Sequence, residues 1–281
     1  MSRAWKDILV EGTELRLSQG GGGPVLVMLH GIGSDMSSFD GLTAHLPEDW
    51  TLIAWNAPGY RASRTLAKDW PTAGDYAGRL AAIADALDLP PFLLAGHSLG
   101  TLMAVAFARL HPDRVAGLIL LACAQGHGAV PGRLGEKAKA RLDDLEKLGA
   151  AEFARTRAPR LLADPDGMPD VRDRAIAAMA AIHPAGYGQA VRMLATGDQK
   201  GDAQSVRVPS LVMVGEKDAV TAPEQSRGVH DALARAAPDL PHVFRSVPDA
   251  GHILHQEFPE AVGVEIVRFE ASLAGIGEMA R

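Results

Sequence analysis

The feature of this sequence that most constrains its fold is a series of short, uninterrupted apolar runs separated by helical patterns. Val25–Leu29 reads VLVML, and runs of similar character occur at Thr51–Trp55, Phe92–Ala95, Val115–Leu121 and Leu211–Val214. A strand that is apolar at every position is covered on both faces, as are the strands of a parallel sheet flanked by helices. The sequence therefore predicts an α/β protein with a mostly parallel central sheet.

Weaker patterns complete this prediction. Further strands, which bring the sheet to about eight, are expected at Lys6–Val10, Glu14–Ser18 and Val243–Val247. Helices on both faces of the sheet are expected at Asp75–Leu87, Leu99–Leu110, Glu224–Ala237 and Ala261–Leu273. Residues 126–202 break the rhythm, because this part holds helical stretches and several prolines but no strong β run. We expect residues 1–125 and 203–281 to form one core and residues 126–202 to be a helical insertion between two of its strands.

Composition excludes several classes of protein. With 281 residues, 47% of them hydrophobic, the chain can bury a large core as one domain. The net charge of −6 argues against nucleic acid as a partner. Cys123 is the single cysteine, so there is neither an intrachain disulfide nor a cysteine-based zinc site. The longest apolar stretch, Val115–Ala124, is about half of what a bilayer span needs, and the amino terminus has no apolar signal core. We expect a cytoplasmic protein, with no membrane partner.

The strongest chemical signal is the sequence GHSLG at residues 96–100. It follows a predicted strand and precedes a predicted helix, which is the context that gives a G-x-S-x-G motif its meaning. Glycines at its two ends would permit a sharp turn that lifts the Ser98 hydroxyl clear of the sheet. An ordinary glycine-rich turn between strand and helix is the plainer interpretation, but the context favours a nucleophile.

An acyl-transfer site also needs two backbone donors for the tetrahedral oxygen. Leu99, directly after the serine, would supply one N–H group from the start of a helix. The loop HGIG at residues 30–33, directly after another central strand, would supply the second from Ile32. The side chain of His30 could be mistaken for a catalytic base, but a role in bracing this loop is the simpler interpretation.

A serine nucleophile needs a base, and the base needs an orienting acid. Asp218 follows the apolar run Leu211–Val214, and His252 follows the predicted strand Val243–Val247. Both would therefore lie at the carboxyl edge of a parallel sheet. Glu216 in the same loop is a rival for the acid, and Asp218 could instead cap the helix that begins near residue 223. His255 is expected to face elsewhere.

These motifs, in the order serine, aspartate, histidine, resemble the α/β-hydrolase family over essentially the whole chain. The sequence NAPGY at residues 56–60 and the segment from His252 to EFPE at residues 257–260 are similar to that family as well. The resemblance implies that Ser98 is the nucleophile in a nucleophile elbow. It implies His252 as the general base, Asp218 as its acid, and Ile32 and Leu99 as the oxyanion-hole amides. Residues 126–202 would be the helical cap, and neither a cofactor nor a metal is required.

The resemblance predicts a serine hydrolase that cleaves a carboxylic ester or lactone, in a small-molecule substrate, through an acyl-enzyme. Many members carry Asp and Gly where this chain has Asn56 and Arg61, at positions that are usually structural. Ser98 argues against the haloalkane dehalogenases and epoxide hydrolases of this fold, which use Asp there. Three alternatives stay open: a C–C bond hydrolase of a vinylogous diketone, an acyl transferase or synthase, and a catalytically silent ligand receptor. The C–C hydrolases usually carry an aromatic residue directly after the catalytic histidine, where this chain has Ile253.

The sequence does not identify the substrate or the oligomeric state. Six residues of the insertion could line a pocket or could equally pack as core: Leu134, Phe153, Met168, Met179, Tyr187 and Met193.

Overall fold

The computed structural model describes residues 3–279, and the side chains of residues 3–273. Its centre is an eight-stranded sheet. In chain order its strands are β1 (Lys6–Val10), β2 (Thr13–Ser18), β3 (Val25–Leu29), β4 (Thr51–Trp55), β5 (Phe92–His97), β6 (Val115–Leu121), β7 (Ser210–Gly215) and β8 (His242–Val247). The α-helices of the described residues are α1 (Asp40–Thr43), α2 (Ala73–Ala86), α3 (Leu99–Leu110), α4 (Glu136–Arg157), α5 (Pro169–Ala180), α6 (Pro184–Thr196), α7 (Gln199–Ala203), α8 (Pro223–Ala236), α9 (Leu254–Glu257) and α10 (Pro259–Met279).

The strands lie in the order β1-β2-β4-β3-β5-β6-β7-β8. Pairing is antiparallel between β1 and β2 and between β2 and β4, and parallel between all other neighbours. This arrangement confirms the predicted mostly parallel sheet. Because β3 and β5 to β8 all run in one direction, the loops that follow them meet at one edge, here called the carboxyl edge.

Helices cover both faces of the sheet, as predicted. Successive residues of β3 point to opposite faces, so Val27 belongs to one buried cluster and Met28 to the other. The first cluster contains residues of α2, α3 and α8, whereas the second contains residues of α1, α9 and α10. Burial on two faces explains why the central strands are apolar at every position.

The chain between β6 and β7 forms α4 to α7 and, in the residues that the structure describes, no strand. Helix α4 is kinked at Gly149, whose φ of +70° lies in the left-handed region that favours glycine. Helix α6 was not among the predicted helices. The boundaries 126–202 stay a prediction, and we call this segment the insertion. None of the described helices has the length and apolar character needed to cross a bilayer.

Candidate active site

Ser98 occupies the sharp turn between β5 and α3. Strand β5 extends two residues beyond its predicted end, since Gly96 and His97 still pair with β6. The chain then turns at Ser98, where φ is +50° and ψ is −114°. A Cβ on Gly96 would lie 2.4 Å from the carbonyl oxygen of Gly100, and a Cβ on Gly100 would lie 2.2 Å from that of Leu29. The two glycines of the motif therefore permit close approach of backbone segments, as the sequence predicts.

Replacing Gly100 by alanine is expected to lower the free energy of unfolding by about 3 kcal/mol, because the new methyl group has no room. Gly78, exposed in the interior of α2 with nothing within 4 Å of an added Cβ, offers the matched control. Gly78→Ala should raise the free energy of unfolding by about 0.5–1 kcal/mol through helix propensity. Urea denaturation of both variants measures the two effects. A Gly100→Ala variant as stable as the native chain would contradict the close packing of the turn.

The loop after β3 lies directly against this turn. A Cβ on Gly31 would be 2.8 Å from Nδ1 of His97 and 3.1 Å from Cβ of Ser98. Ile32, the next residue, is therefore within the immediate surroundings of the serine. Leu99 is the first residue of α3, and the N–H groups of a first helical turn have no partner within the helix. The two residues predicted to donate N–H groups therefore lie close to Ser98, one in the loop after β3 and the other at the start of the helix after β5.

His30 braces this loop, as the sequence indicates. One ring nitrogen, Nδ1, lies 2.8 Å from the carbonyl oxygen of Gly31, while the other, Nε2, accepts a hydrogen bond of 3.0 Å from the N–H of Ala57. Its ring packs edge-on against Tyr60, with centroids 4.8 Å apart. Both nitrogens are engaged by backbone, so His30 has no free atom for proton transfer.

A buried carboxylate, Asp35, lies two residues after Gly33 and was not predicted from the sequence. Asp35 accepts hydrogen bonds from the backbone and hydroxyl of Ser37 and from the guanidinium of Arg61. Burial alone would raise the pKa of Asp35, but these hydrogen bonds and the charge of Arg61 outweigh it and lower the pKa. Arg61 has a φ of +49°, which gives a reason for the glycine that many family members carry there.

His252 and Asp218 are joined by a hydrogen bond at the carboxyl edge. Nδ1 of His252 lies 2.9 Å from Oδ2 of Asp218, and both residues are buried. Thr221 donates its backbone N–H and its hydroxyl to the same carboxylate, with distances of 2.9 and 2.8 Å. With Nδ1 occupied, Nε2 is the nitrogen of His252 that is left to accept a proton.

The environment of Asp218 keeps it ionised. Burial alone would raise its pKa, but the hydrogen bond and charge of His252, together with the bonds from Thr221, lower the pKa below its ordinary value. The alternative in which Asp218 caps a helix is wrong, because Ala222 occupies the cap position of α8. Glu216, the rival acid, is exposed and accepts a hydrogen bond from Ser246 instead.

His97 connects the serine turn to the loop of His252. Its Nε2 lies 2.9 Å from the carbonyl oxygen of His252, and the two rings have centroids 5.0 Å apart. Burial lowers the pKa of His97 well below the ordinary range, so the ring is neutral and Nε2–H is the donor. The ring of His255 also packs against that of His97, tilted by 51° with centroids 4.4 Å apart, and burial lowers the pKa of His255 to about 3. Among described residues no hydrogen bond joins Ser98 Oγ to His252, and such bonds are often loose without substrate.

Two side chains of the insertion lie next to the loop that follows β3. A Cβ on Gly33 would lie 3.3 Å from the side chain of Met179 and 3.6 Å from that of Tyr187. The N–H of Gly33 donates to the hydroxyl of Tyr60, 3.2 Å away. Of the six insertion residues considered from sequence, Met179 and Tyr187 thus contact the loop beside Ser98, while Phe153 packs behind Tyr187. Ser98 itself is 6% exposed.

The residues from 24 to 259 match the family model for the alpha/beta hydrolase fold. The chain belongs to this family. Its relatives include the dihydrolipoyllysine-residue acetyltransferase component of an acetoin cleaving system from Pseudomonas putida, 29% identical over 257 residues. That match covers 89% of this chain but 64% of the relative, so the chain spans less than two thirds of that protein's length.

Two further relatives match over nearly their whole length. A pimeloyl-[acyl-carrier protein] methyl ester esterase from Neisseria meningitidis is 28% identical over 256 residues, which cover 84% of this hydrolase-fold chain and 93% of the esterase. The solved structure of a thermophilic esterase from Thermogutta terrifontis superimposes with a TM-score of 0.79 and 26% identity. That superposition covers 96% of this chain and 99% of the esterase.

The structure of this family member brings the predicted site residues to one edge of the sheet, and their catalytic roles stay predictions. Sequence reasoning did not identify Thr221, whose position three residues after an aspartate is a recognisable turn signal. The contacts of His97 and Glu257 were not predicted either, although these residues belong to the GHSLG and EFPE sequences. Among the described residues no group of three or more metal-ligand side chains is placed to hold a metal ion.

Proposed function

We propose that this protein hydrolyses a carboxylic ester or lactone of a small-molecule substrate through a covalent acyl-enzyme, with Ser98, His252 and Asp218 as its catalytic residues. The observation that carries the proposal is the buried hydrogen bond between Asp218 and Nδ1 of His252, beside the strained turn of Ser98. That arrangement has the three roles that acyl transfer needs: a nucleophile, a base and a group that orients the base.

In the acylation step, the hydroxyl of Ser98 attacks the carbonyl carbon while Nε2 of His252 takes its proton. The negative charge that develops on the carbonyl oxygen is stabilised by the N–H groups of Ile32 and Leu99. When the tetrahedral intermediate collapses, the bond to the alkoxy group breaks and His252 returns the proton to the leaving alcohol. Asp218 stabilises the imidazolium that exists between these two proton transfers.

In the deacylation step, water takes the place of the alcohol. His252 removes a proton from the water as its oxygen attacks the acyl carbon, and then returns that proton to Ser98 as the acid leaves. With a lactone, the hydroxyl group formed in the first step stays part of the acyl chain. The second step then releases a single product, a hydroxy acid. No external cofactor is consumed in either step.

We further propose that residues 126–202 are a cap that roofs the site. Met179 and Tyr187 support this role, because they place apolar groups against Gly33, in the loop that carries the proposed donor Ile32. Exclusion of water there strengthens the electrostatic interactions that stabilise the oxyanion. The esterase names of the Neisseria and Thermogutta relatives favour an ester bond over a C–C bond.

The test is hydrolysis of p-nitrophenyl esters of graded acyl length and of several lactones, run beside labelling with a fluorophosphonate. We expect turnover well above the buffer rate, with a preference for one range of acyl lengths, and the label on the peptide that contains Ser98. Turnover of a vinylogous diketone with every ester and lactone left intact would overturn the proposal in favour of C–C cleavage. Labelling at another residue would contradict the assigned nucleophile.

A further inference from the structure

The side chain of Glu257 joins two parts of the chain that are distant in sequence. This residue ends α9 and is buried, with 7% of its surface exposed. Its Oε2 accepts the N–H of Gly251 at 2.9 Å, and its Oε1 accepts the N–H of Ala163 at 2.8 Å. Gly251 directly precedes His252, whereas Ala163 belongs to the insertion. One carboxylate therefore holds the insertion and the histidine loop together.

The backbone around this carboxylate makes the same connection. The N–H of His252 donates to the carbonyl oxygen of Leu161, 2.8 Å away. A Cβ on Gly251 would lie 2.5 Å from the nitrogen of Ala163, so the two segments touch along their main chains. The backbone of His252 is thus bonded on one side to the insertion and on the other to His97, through its carbonyl oxygen. Its position depends on segments that lie outside its own loop.

Burial of the Glu257 carboxylate costs free energy. Its two hydrogen bonds are therefore expected to be needed to keep it in place. An ionised carboxylate loses its hydration on burial and needs donors to replace it. Burial raises the pKa of Glu257, the two backbone donors oppose that rise, and the negative charge of Asp218 adds to it. A glutamine in the same place would offer one acceptor oxygen and would direct an N–H₂ group at the second backbone N–H.

We propose that Glu257 is a positioning residue, which fixes the insertion to the loop of His252 and so holds the imidazole in its productive place. The inference rests on the proposed function for its catalytic consequence, since it assumes that His252 is the base. Glu257 acts through the backbone of Gly251 and touches neither Asp218 nor His252 by a side-chain hydrogen bond in the described structure. Because His252 transfers the protons in the proposed mechanism, replacement of Glu257 should lower the rate of the chemical step.

The first experiment compares Glu257→Gln with Glu260→Gln, an exposed glutamate three residues further along the chain. In Glu257→Gln we expect kcat for ester hydrolysis to fall about 10- to 100-fold, because a small misplacement of a catalytic group is costly. KM should change less than about threefold, whereas Glu260→Gln should keep both constants within about twofold. A variant Glu257→Gln that is folded and keeps its native kcat would overturn the proposal.

The second experiment follows amide hydrogen exchange by NMR and does not depend on activity. Loss of the bridge should speed exchange of the Gly251, His252 and Ala163 amides at least about tenfold in Glu257→Gln, while amides of the central strand β7 keep their native rates. Equal acceleration everywhere would mean that Glu257 only supports global stability, which overturns the inference. If the native protein hydrolyses no ester or lactone, the proposed function is wrong. If exchange at these three amides is unchanged in Glu257→Gln, the proposed role of Glu257 is wrong, whatever the activity.

Discussion

Replacement of Ser98 by alanine should lower kcat for ester hydrolysis by about 10⁶-fold, the size of effect seen when a serine nucleophile is removed. The change deletes the atom that would form the acyl-enzyme and leaves the backbone turn in place. In the described structure the hydroxyl of Ser98 has no hydrogen bond to His252, so its loss should disturb the fold little. Initial rates with the best p-nitrophenyl ester of the panel, measured at high enzyme concentration, would quantify the fall.

Ser205 supplies the control for this experiment, because it is an exposed serine outside the candidate site. The variant Ser205→Ala should keep kcat and KM within about twofold of the native values. The variant Ser98→Ala should also fail to react with the fluorophosphonate. Retention of more than about a tenth of the native rate would show that another group carries the reaction, since nucleophile loss costs far more.

Replacement of Asp218 by asparagine should lower kcat by about 10⁴-fold while the protein stays folded. The carboxylate accepts the Nδ1–H of His252 at 2.9 Å, which places the accepting lone pair on Nε2. An asparagine that turns its N–H₂ group toward Nδ1 would favour the opposite tautomer, with the proton on Nε2. The imidazolium formed during reaction would also lose the negative charge that stabilises it. Rates of ester hydrolysis and a urea denaturation curve separate the catalytic effect from any effect on stability.

Glu216→Gln is the matched control, because Glu216 lies two residues away in the same loop and is the rival for the orienting acid. Its side chain is exposed and contacts Ser246, so kcat should stay within about twofold of the native value. If Glu216→Gln lost activity and Asp218→Asn kept it, the assignment of the acid would be wrong.

The strands were the most predictable part of this fold. Val25–Leu29, Thr51–Trp55 and Val115–Leu121 begin and end where the apolar runs do, because burial on two faces allows few polar residues at any position. Helix α6 was not predicted, because its first turns read PAGYG and contain two glycines that disfavour a helix. Its Tyr187 packs edge-on against Phe153. Such tertiary packing, which no local pattern records, stabilises α6.

In the candidate site, the positions of Asp218 and His252 were predictable from the sequence, but the contacts that support His252 were not. Asp218 and His252 each follow a strand, and neighbouring parallel strands bring such residues to one edge. The hydrogen bond between Ala163 and Glu257 joins residues 94 positions apart, and it depends on the path of the insertion over the sheet. No motif or periodicity in the sequence encodes that path, so the supporting contacts of His252 emerged only from the structure.

The hydrogen bond from the His252 backbone to Leu161 has a consequence for exchanging specificity between relatives. In a chimera that carries the insertion of a relative, a carbonyl oxygen has to lie where that of Leu161 lies. Otherwise the buried backbone N–H of His252 loses its hydrogen-bond partner. Such a loss costs about 1–3 kcal/mol. Splice points placed before residue 161 and after residue 163, with these three residues retained from the recipient, would preserve the contact. The structure thus divides the segment into portions that can be exchanged and a short portion that has to stay with the sheet.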